Sequence, residues 1–141
     1  MIENTKEQLE KIVEWNKERK LDEQDFKAEV EVVNVLEELV EIYNFQSEEA
    51  RNIAKKIYIN YFENVSLTEN KENIVDAFMD IIVFATGAVL KLGYNPKIAL
   101  DEVIKEISSR KGEIIDGKFI KDKSPEAKAK WYKADFKKAK I

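Results

Sequence analysis

Five carboxylates at helical spacing are the residues of this sequence best suited to binding a metal ion. They form two groups, Glu37, Glu38 and Glu41 in one stretch and Asp76 and Asp80 in another. Like charges one helical turn apart repel each other, so a compensating cation is expected. Oxygen ligands without nitrogen or sulfur suit Mg²⁺ or Mn²⁺. A solvated acidic patch is the alternative interpretation, and it accounts for the first group better than for the second.

The composition restricts the chemistry further. The 141 residues include no cysteine and no histidine, which excludes thiol nucleophiles, histidine bases and zinc sites with Cys or His ligands. A ferritin-like di-iron centre needs Glu-x-x-His pairs and is excluded for the same reason. Gly-rich phosphate-binding motifs are also absent. Catalysis would therefore depend on carboxylates, amines, hydroxyls or a bound metal.

The elements that must position these groups are predicted to be helices. No Gly or Pro occurs before Gly87, and the chain is 44% hydrophobic, which favours long helices around one core. We predict an all-α bundle of four to five helices. A Ser66/Glu69 capping box and the Asn95-Pro96 pair mark two of the helix starts. The predicted ranges are about 5–20, from Asp22 or Asp25 to 45, 47–63, 66–92 and 96–110.

The fourth predicted helix is the most apolar part of the chain. Nearly every residue from Ile74 to Leu90 is apolar, so we expect this helix to be buried on most sides. Asp76 and Asp80 within it argue against a membrane span. The small residues of 85–88 offer a surface for close helix contact. The pattern favours a homodimer or a dimer of dimers.

The C-terminal residues differ in character from the rest. Residues 1–110 carry a net charge of −9 and residues 111–141 a net charge of +5. Asp116-Gly117 predicts a small hairpin, and 124–141 predicts a short helix or an ordered arm. We expect a single domain over 1–141, with a helical core at about 5–111 and a basic arm at about 112–141. The N-terminus lacks an apolar signal segment, so a cytoplasmic location is expected.

Several segments resemble the MazG-like all-α nucleotide pyrophosphohydrolases, which share a superfamily with dimeric dUTPases and phosphoribosyl-ATP pyrophosphohydrolases. The family signature is Glu-Glu-x-x-Glu, a gap, then Glu-x-x-Asp. The stretch 37–41 matches the first half, and Asp80 matches the final Asp. Ala77 stands where the signature has Glu, and Asp76 on the same face would take that role. The resemblance covers about residues 8–136. The other similar segments are Trp15-Asn16, Leu92-Gly93-Tyr94, Ser109–Gly112 and Lys130–Phe136.

The resemblance implies hydrolysis of a nucleoside triphosphate between its α and β phosphates, giving the monophosphate and pyrophosphate in nucleotide-pool house-cleaning. It implies Mg²⁺ or Mn²⁺ as cofactor and a homo-oligomer as the assembly. Metal ligands by similarity are Glu38, Glu41, Asp76 and Asp80. Glu37 and Glu38 are the candidate catalytic carboxylates, because one of them would accept the proton of the attacking water.

The remaining candidate residues would hold the nucleotide itself. Trp15 is expected to stack on the base and Asn16 to hydrogen-bond it, with core packing and a solvent-edge position as the respective alternatives. No stable nucleic-acid complex is expected. A non-enzymatic helical module with a degenerate metal site is the alternative function, because Ala77 interrupts the motif. The predicted phosphate-binding residues are Lys55, Lys56, Arg110 and Lys111.

Overall fold

The computed structural model describes residues 6–141, and over these the protein is mostly helical, with one small two-stranded sheet. Helix accounts for 62% of the structure. The helical class is confirmed, although the hairpin means that the fold is not purely α. The predicted helix start at Thr5 lies outside the described residues. Contacts divide the chain into two compact units.

The first unit comprises residues up to Asp22, Thr68–Glu113 and Ile120–Ile141. Its helices are α1 (Gln8–Glu18), α4 (Lys71–Lys91), α5 (Pro96–Ser108) and α6 (Pro125–Lys128), and a 3-10 turn spans Phe136–Ala139. Helix α5 lies at its centre, because α1, α4 and the C-terminal turn all pack against it. The predicted Asn95 cap is confirmed, since the Asn95 side chain accepts hydrogen bonds from the backbone N–H groups of Lys97 and Ile98.

Glu102 anchors the C-terminal arm on α5. Its buried carboxylate accepts hydrogen bonds from the Tyr132 hydroxyl and from the backbone N–H of Asp135, the latter at 2.9 Å. Lys105 and Lys138 lie 3.5 and 3.9 Å away. These partners hold the pKa of Glu102 at about 2, below its ordinary value, with the Tyr132 hydroxyl as the largest cause. The predicted ordered arm is therefore confirmed.

The second unit comprises Glu23–Leu67 and Ile114–Phe119. It is built on two helices that pack against each other, α2 (Ala28–Glu41) and α3 (Ser47–Tyr61), and a short loop joins them. Val33, Ala50 and Ala54 are its buried apolar residues, and the two alanines bring α3 close to α2. The predicted start of α2 at Asp22 or Asp25 is wrong. A 3-10 turn at Leu21–Glu23 and an extended stretch precede the helix, whose N-cap is Lys27.

The predicted hairpin is present, with β1 at Gly112–Ile115 and β2 at Lys118–Lys121. Its turn is Asp116-Gly117, and both residues have positive φ, at 52° and 76°. Such a turn favours glycine at its second position. A Cβ on Gly117 would come within 3.0 Å of the Val30 side chain on α2, so this glycine also allows the turn to pack closely within the second unit.

Helix α4 differs from the expectation in its burial. Its N-cap is Asn70 and not the predicted Ser66, because the Asn70 side chain accepts from the backbone N–H of Glu72. None of its 21 residues, all in the described part of the chain, is buried, so the expected burial on most sides is wrong for the single chain. The helix contacts α5 along one side. By length and composition alone α4 could also cross a membrane, since its most apolar 18-residue window has a mean hydropathy of 1.7.

Candidate metal centre

Three carboxylates meet on the C-terminal half of α2. Glu37, Glu38 and Glu41 each offer an oxygen, and these oxygens lie within 4.8 Å of one another. The i, i+1 and i+4 spacing produces this cluster, since residues four apart lie one above the other on a helix. Burial decreases across the cluster, because Glu37 is buried, Glu41 is half-buried and Glu38 is exposed. The spacing argument from sequence therefore located these three groups together.

Glu37 is held by two cations that the sequence reasoning did not identify. Lys118 Nζ donates to both of its carboxylate oxygens, at 2.8 and 2.7 Å. Arg51 donates to one of them at 3.1 Å and also lies 3.4 Å from the Asn34 side-chain oxygen. Only 7% of the Glu37 side chain is exposed, and a buried carboxylate without such partners would be strongly destabilising. Both oxygens of Glu37 are therefore engaged within the unit.

Glu38 has a carboxyl group with a raised pKa. Partial desolvation of its carboxyl group, a hydrogen bond with Glu41 and repulsion from Glu41 and Glu37 together raise its pKa to about 7, and Lys118 opposes the shift. A carboxylate that keeps its proton near neutral pH beside a second carboxylate is short of positive charge. The oxygen-only donor set and this deficit both fit a hard divalent cation held by Glu38 and Glu41.

Glu41 is oriented from the loop that follows α2. The hydroxyl of Ser47, the first residue of α3, donates to the Glu41 carboxylate at 2.7 Å. Ser47 is predicted from sequence as the cap of this helix, but Gln46 occupies the cap position. The Ser47 side chain instead binds one carboxylate oxygen of Glu41.

A cleft of about 800 Å³ lies within the second unit, along the N-terminal half of α2, and none of the three clustered glutamates lines it. Arg51 links the two features, because it contacts Glu37 and also lines the cleft. Lys55 and Tyr58 of α3 and the Asp116-Gly117 turn form other parts of the wall. Of the two lysines predicted from α3, Lys55 therefore lies at the cleft, and Lys56 is exposed. A volume of this size is typical of a small-ligand site.

Asp76 and Asp80 belong to the first unit, where both are exposed on α4. Their side chains share one face of the helix, as their i, i+4 spacing requires. Their predicted role as metal ligands stays a prediction.

Trp15 and Arg110, two predicted nucleotide-binding residues, lie near each other in the first unit. Arg19 joins them, because its guanidinium lies 4.4 Å from the Trp15 ring and donates to the Arg110 carbonyl oxygen at 3.0 Å. The Arg110 side chain pairs with Glu106 at 2.7 Å and lies 5.1 Å from the Trp131 ring. The sequence reasoning missed Arg19, although its i+4 spacing from Trp15 placed it on the same helix face.

The other first-unit candidates have simpler surroundings. Trp15 Nε1 donates to the Ile107 carbonyl oxygen at 3.2 Å, which ties α1 to α5. Asn16 donates to the Ile12 carbonyl oxygen at 2.9 Å, within its own helix. Lys111 is exposed. These bonds agree with the packing alternative for Trp15, and base binding by either residue stays a prediction.

The chain matches no protein-family description, no curated protein and no solved structure.

Proposed function

We propose that this protein is a Mg²⁺-dependent nucleoside triphosphate pyrophosphohydrolase of the MazG-like type. The observation that carries the proposal is the cluster of Glu37, Glu38 and Glu41, whose oxygens converge within 4.8 Å, and Arg51 connects Glu37 of this cluster to the wall of the cleft. The reaction would add water to the α phosphorus and break its bond to the bridging oxygen, giving a nucleoside monophosphate and pyrophosphate. The biological role would be house-cleaning of the nucleotide pool in the cytoplasm, with no stable nucleic-acid complex.

The three glutamates would have different roles. Glu38 and Glu41 would hold Mg²⁺ or Mn²⁺, because they are the two less buried members of the cluster, whereas both oxygens of Glu37 already bind Lys118 and Arg51. A bound Mg²⁺ would supply charge neutralisation of the phosphate oxygens and a more acidic water. Glu38 is the better candidate for accepting the water's proton, since its pKa of about 7 lies near the working pH. Glu37 would position Lys118 and Arg51 beside the cluster.

The cleft supports a binding role for α3. Arg51 and Lys55 place two positive charges in its wall near the acidic cluster, where they would contact the phosphates. Tyr58 offers a ring to the sugar or base. Arg110, Lys111, Lys56, Trp15 and Asn16 remain predicted contacts, and Asp76 and Asp80 remain predicted ligands. The finer architecture, a four- to five-helix bundle in a homo-oligomer, belongs to the same proposal.

A second candidate function is a nucleotide- or partner-binding helical module without catalysis. The specific observation in its favour is Glu37, whose two oxygens are occupied by Lys118 and Arg51 and are thus withdrawn from a metal. The same arrangement would leave a two-carboxylate site, which binds a divalent cation more weakly than three free carboxylates.

Pyrophosphate release from each of the common ribo- and deoxyribonucleoside triphosphates, with Mg²⁺ and with EDTA, tests the proposal. We expect EDTA to abolish release, and Glu38→Gln and Glu41→Gln to lower turnover by about 10²-fold or more. Glu49→Gln is the matched control, because Glu49 is an exposed glutamate at the start of α3 in the same unit.

Two outcomes separate the candidate functions. Nucleotide binding by calorimetry without pyrophosphate release would favour the binding module. Release that persists in EDTA, or that survives both cluster substitutions, would exclude the metal mechanism.

A further inference from the structure

The tip of the hairpin, residues Ile114–Phe119, belongs to the second unit and carries the lysine that contacts the acidic cluster. The neighbours of this segment on both sides, Glu113 and Ile120, belong to the first unit. The tip is therefore a segment of six residues whose flanks are assigned to another part of the chain. Such a short segment can leave a helix without unfolding the unit on which it rests.

Lys118 in the hairpin tip occupies the place of a counter-ion. Its Nζ lies 2.8 and 2.7 Å from the two carboxylate oxygens of Glu37. An oxygen of Glu37 lies within 4.8 Å of oxygens of Glu38 and Glu41, where a divalent cation is expected. The Lys118 charge also acts to lower the pKa of Glu38, so its field extends beyond Glu37. Lys118 thus supplies positive charge that a metal ion would otherwise supply.

The hairpin tip rests on α2 through a small area. Gly117 lies against the Val30 side chain, and Lys118 binds Glu37 one residue further on. Within the part of the chain that the structure describes, neither strand of the hairpin forms a large interface with α2 or α3. The Lys118 side chain is 28% exposed, so water can solvate its ammonium group as it leaves. The ion pair is therefore a main attachment of the tip.

Departure of Lys118 would not leave Glu37 without a cation. Arg51 still donates to one Glu37 oxygen at 3.1 Å, and a divalent cation on Glu38 and Glu41 would add charge beside it. Breaking a buried ion pair is costly because the remaining charge is uncompensated. An exchange of Lys118 for a metal ion therefore costs less than the loss of Lys118 alone.

We propose that the hairpin tip is an autoinhibitory latch, in which Lys118 closes the acidic cluster and leaves it when a divalent cation binds. The proposal rests on the metal site of the proposed function and adds a regulatory element to it. An ammonium group and a divalent cation about 6 Å apart repel each other enough, even at the dielectric constant of water, to weaken metal binding about tenfold. The latch therefore sets the metal concentration at which the site fills.

Titration with Mn²⁺, followed by EPR, tests the competition between Lys118 and the metal ion. Lys118→Met should bind Mn²⁺ about tenfold more tightly than the natural chain, because the repelling charge is gone. Lys118→Arg keeps the charge and should bind Mn²⁺ as the natural chain does. The matched control is Lys123→Met, which removes an exposed lysine and should change the affinity by less than about two-fold, since solvated charges are screened. Circular dichroism checks that each variant folds.

An engineered disulfide tests whether the tip must move. A Cβ on Gly117 would lie 3.7 Å from the Val30 Cβ, which is within the range for a disulfide, and the natural chain has no cysteine. Oxidised Val30→Cys/Gly117→Cys should bind Mn²⁺ at least about three-fold more weakly than the same protein after reduction, because Lys118 is then held on the cluster. Adding Lys118→Met should abolish this difference, since the locked tip no longer carries the charge.

The outcomes separate the latch from the metal site itself. Equal Mn²⁺ affinities for the natural chain and Lys118→Met would overturn the latch and leave the metal site standing, as would equal affinities for the oxidised and reduced disulfide variant. Mn²⁺ binding by Lys118→Met alone would support the latch in its strongest form. Absence of Mn²⁺ binding in every variant would overturn the metal site and the latch together. If Lys118→Met does not fold, the disulfide variant decides the matter, and none of these measurements depends on hydrolysis.

Discussion

Replacing Lys118 by methionine removes the cation closest to the buried Glu37. Lys118 bonds both carboxylate oxygens at 2.7–2.8 Å, and Arg51 would remain at 3.1 Å. Leaving a buried charge wholly unpaired costs about 3–5 kcal/mol. Arg51 retains part of the interaction and 28% of the Lys118 side chain is in contact with solvent, so we expect a loss of about 1.5–2 kcal/mol in the free energy of unfolding.

Urea unfolding of a double-mutant cycle measures this interaction. The cycle comprises the natural chain, Lys118→Met, Glu37→Gln and the double variant, and we expect a coupling energy of about 1–2 kcal/mol. Lys123→Met, a change to an exposed lysine next to the hairpin, should alter stability by less than about 0.5 kcal/mol. A coupling below about 0.3 kcal/mol would mean that Lys118 is a solvated lysine and that Glu37 relies on Arg51 alone.

Three further predictions concern other carboxylates. Glu38 has a pKa of about 7, so a proton competes with a metal ion for its carboxylate near neutral pH. The affinity for Mn²⁺, measured by EPR, should therefore fall as the pH drops below 7. Glu38→Gln should remove this pH dependence of Mn²⁺ binding. Asp76→Asn should leave the melting temperature nearly unchanged, because Asp76 is exposed. The same change should lower turnover by about 10²-fold if Asp76 is a metal ligand. The control Glu72→Gln should change neither the melting temperature nor the turnover. Glu102 has a pKa of about 2 in the folded chain, below its unfolded value of 4.5. The ionised carboxylate therefore stabilises the fold above pH 4.5, and this stabilisation is lost as the pH falls towards 2. Glu102→Gln should be less stable than the natural chain in urea at pH 7, and the difference between the two should shrink in acid.

Local signals in the sequence predicted the turns and caps that depend on a few adjacent residues. Asn95-Pro96 starts α5 and Asp116-Gly117 forms the hairpin turn, since each places a side-chain acceptor or a positive φ where the backbone requires it. The start of α2 was not predictable in this way. Two acidic residues at positions 22 and 25 both resemble caps, but the helix starts at Ala28, and the side chain of its N-cap residue Lys27 makes no capping hydrogen bond.

The candidate site was predictable only in part. Helical spacing alone brings Glu37, Glu38 and Glu41 together, so that cluster could be read from the sequence. Lys118 is 81 residues from Glu37 along the chain, and local sequence patterns do not predict a contact at that separation. The predicted burial of α4 is wrong because hydropathy measures how unfavourable contact with water is, but it does not show which residues are packed against the helix.

The two units differ in how much of the chain must be synthesised before they can form. Helices α2 and α3 are sequence neighbours, and the contacts between them need only residues 28–61. The first unit needs segments from both ends, because α1 packs on α5 and α5 packs on the turn at Phe136–Ala139. Local contacts form fast and distant ones slowly. During translation, α1 must therefore wait for some 80 further residues before its binding partner α5 exists. Helices α2 and α3 can pair as soon as residues 28–61 are present, but Glu37 then waits for Lys118 of the hairpin.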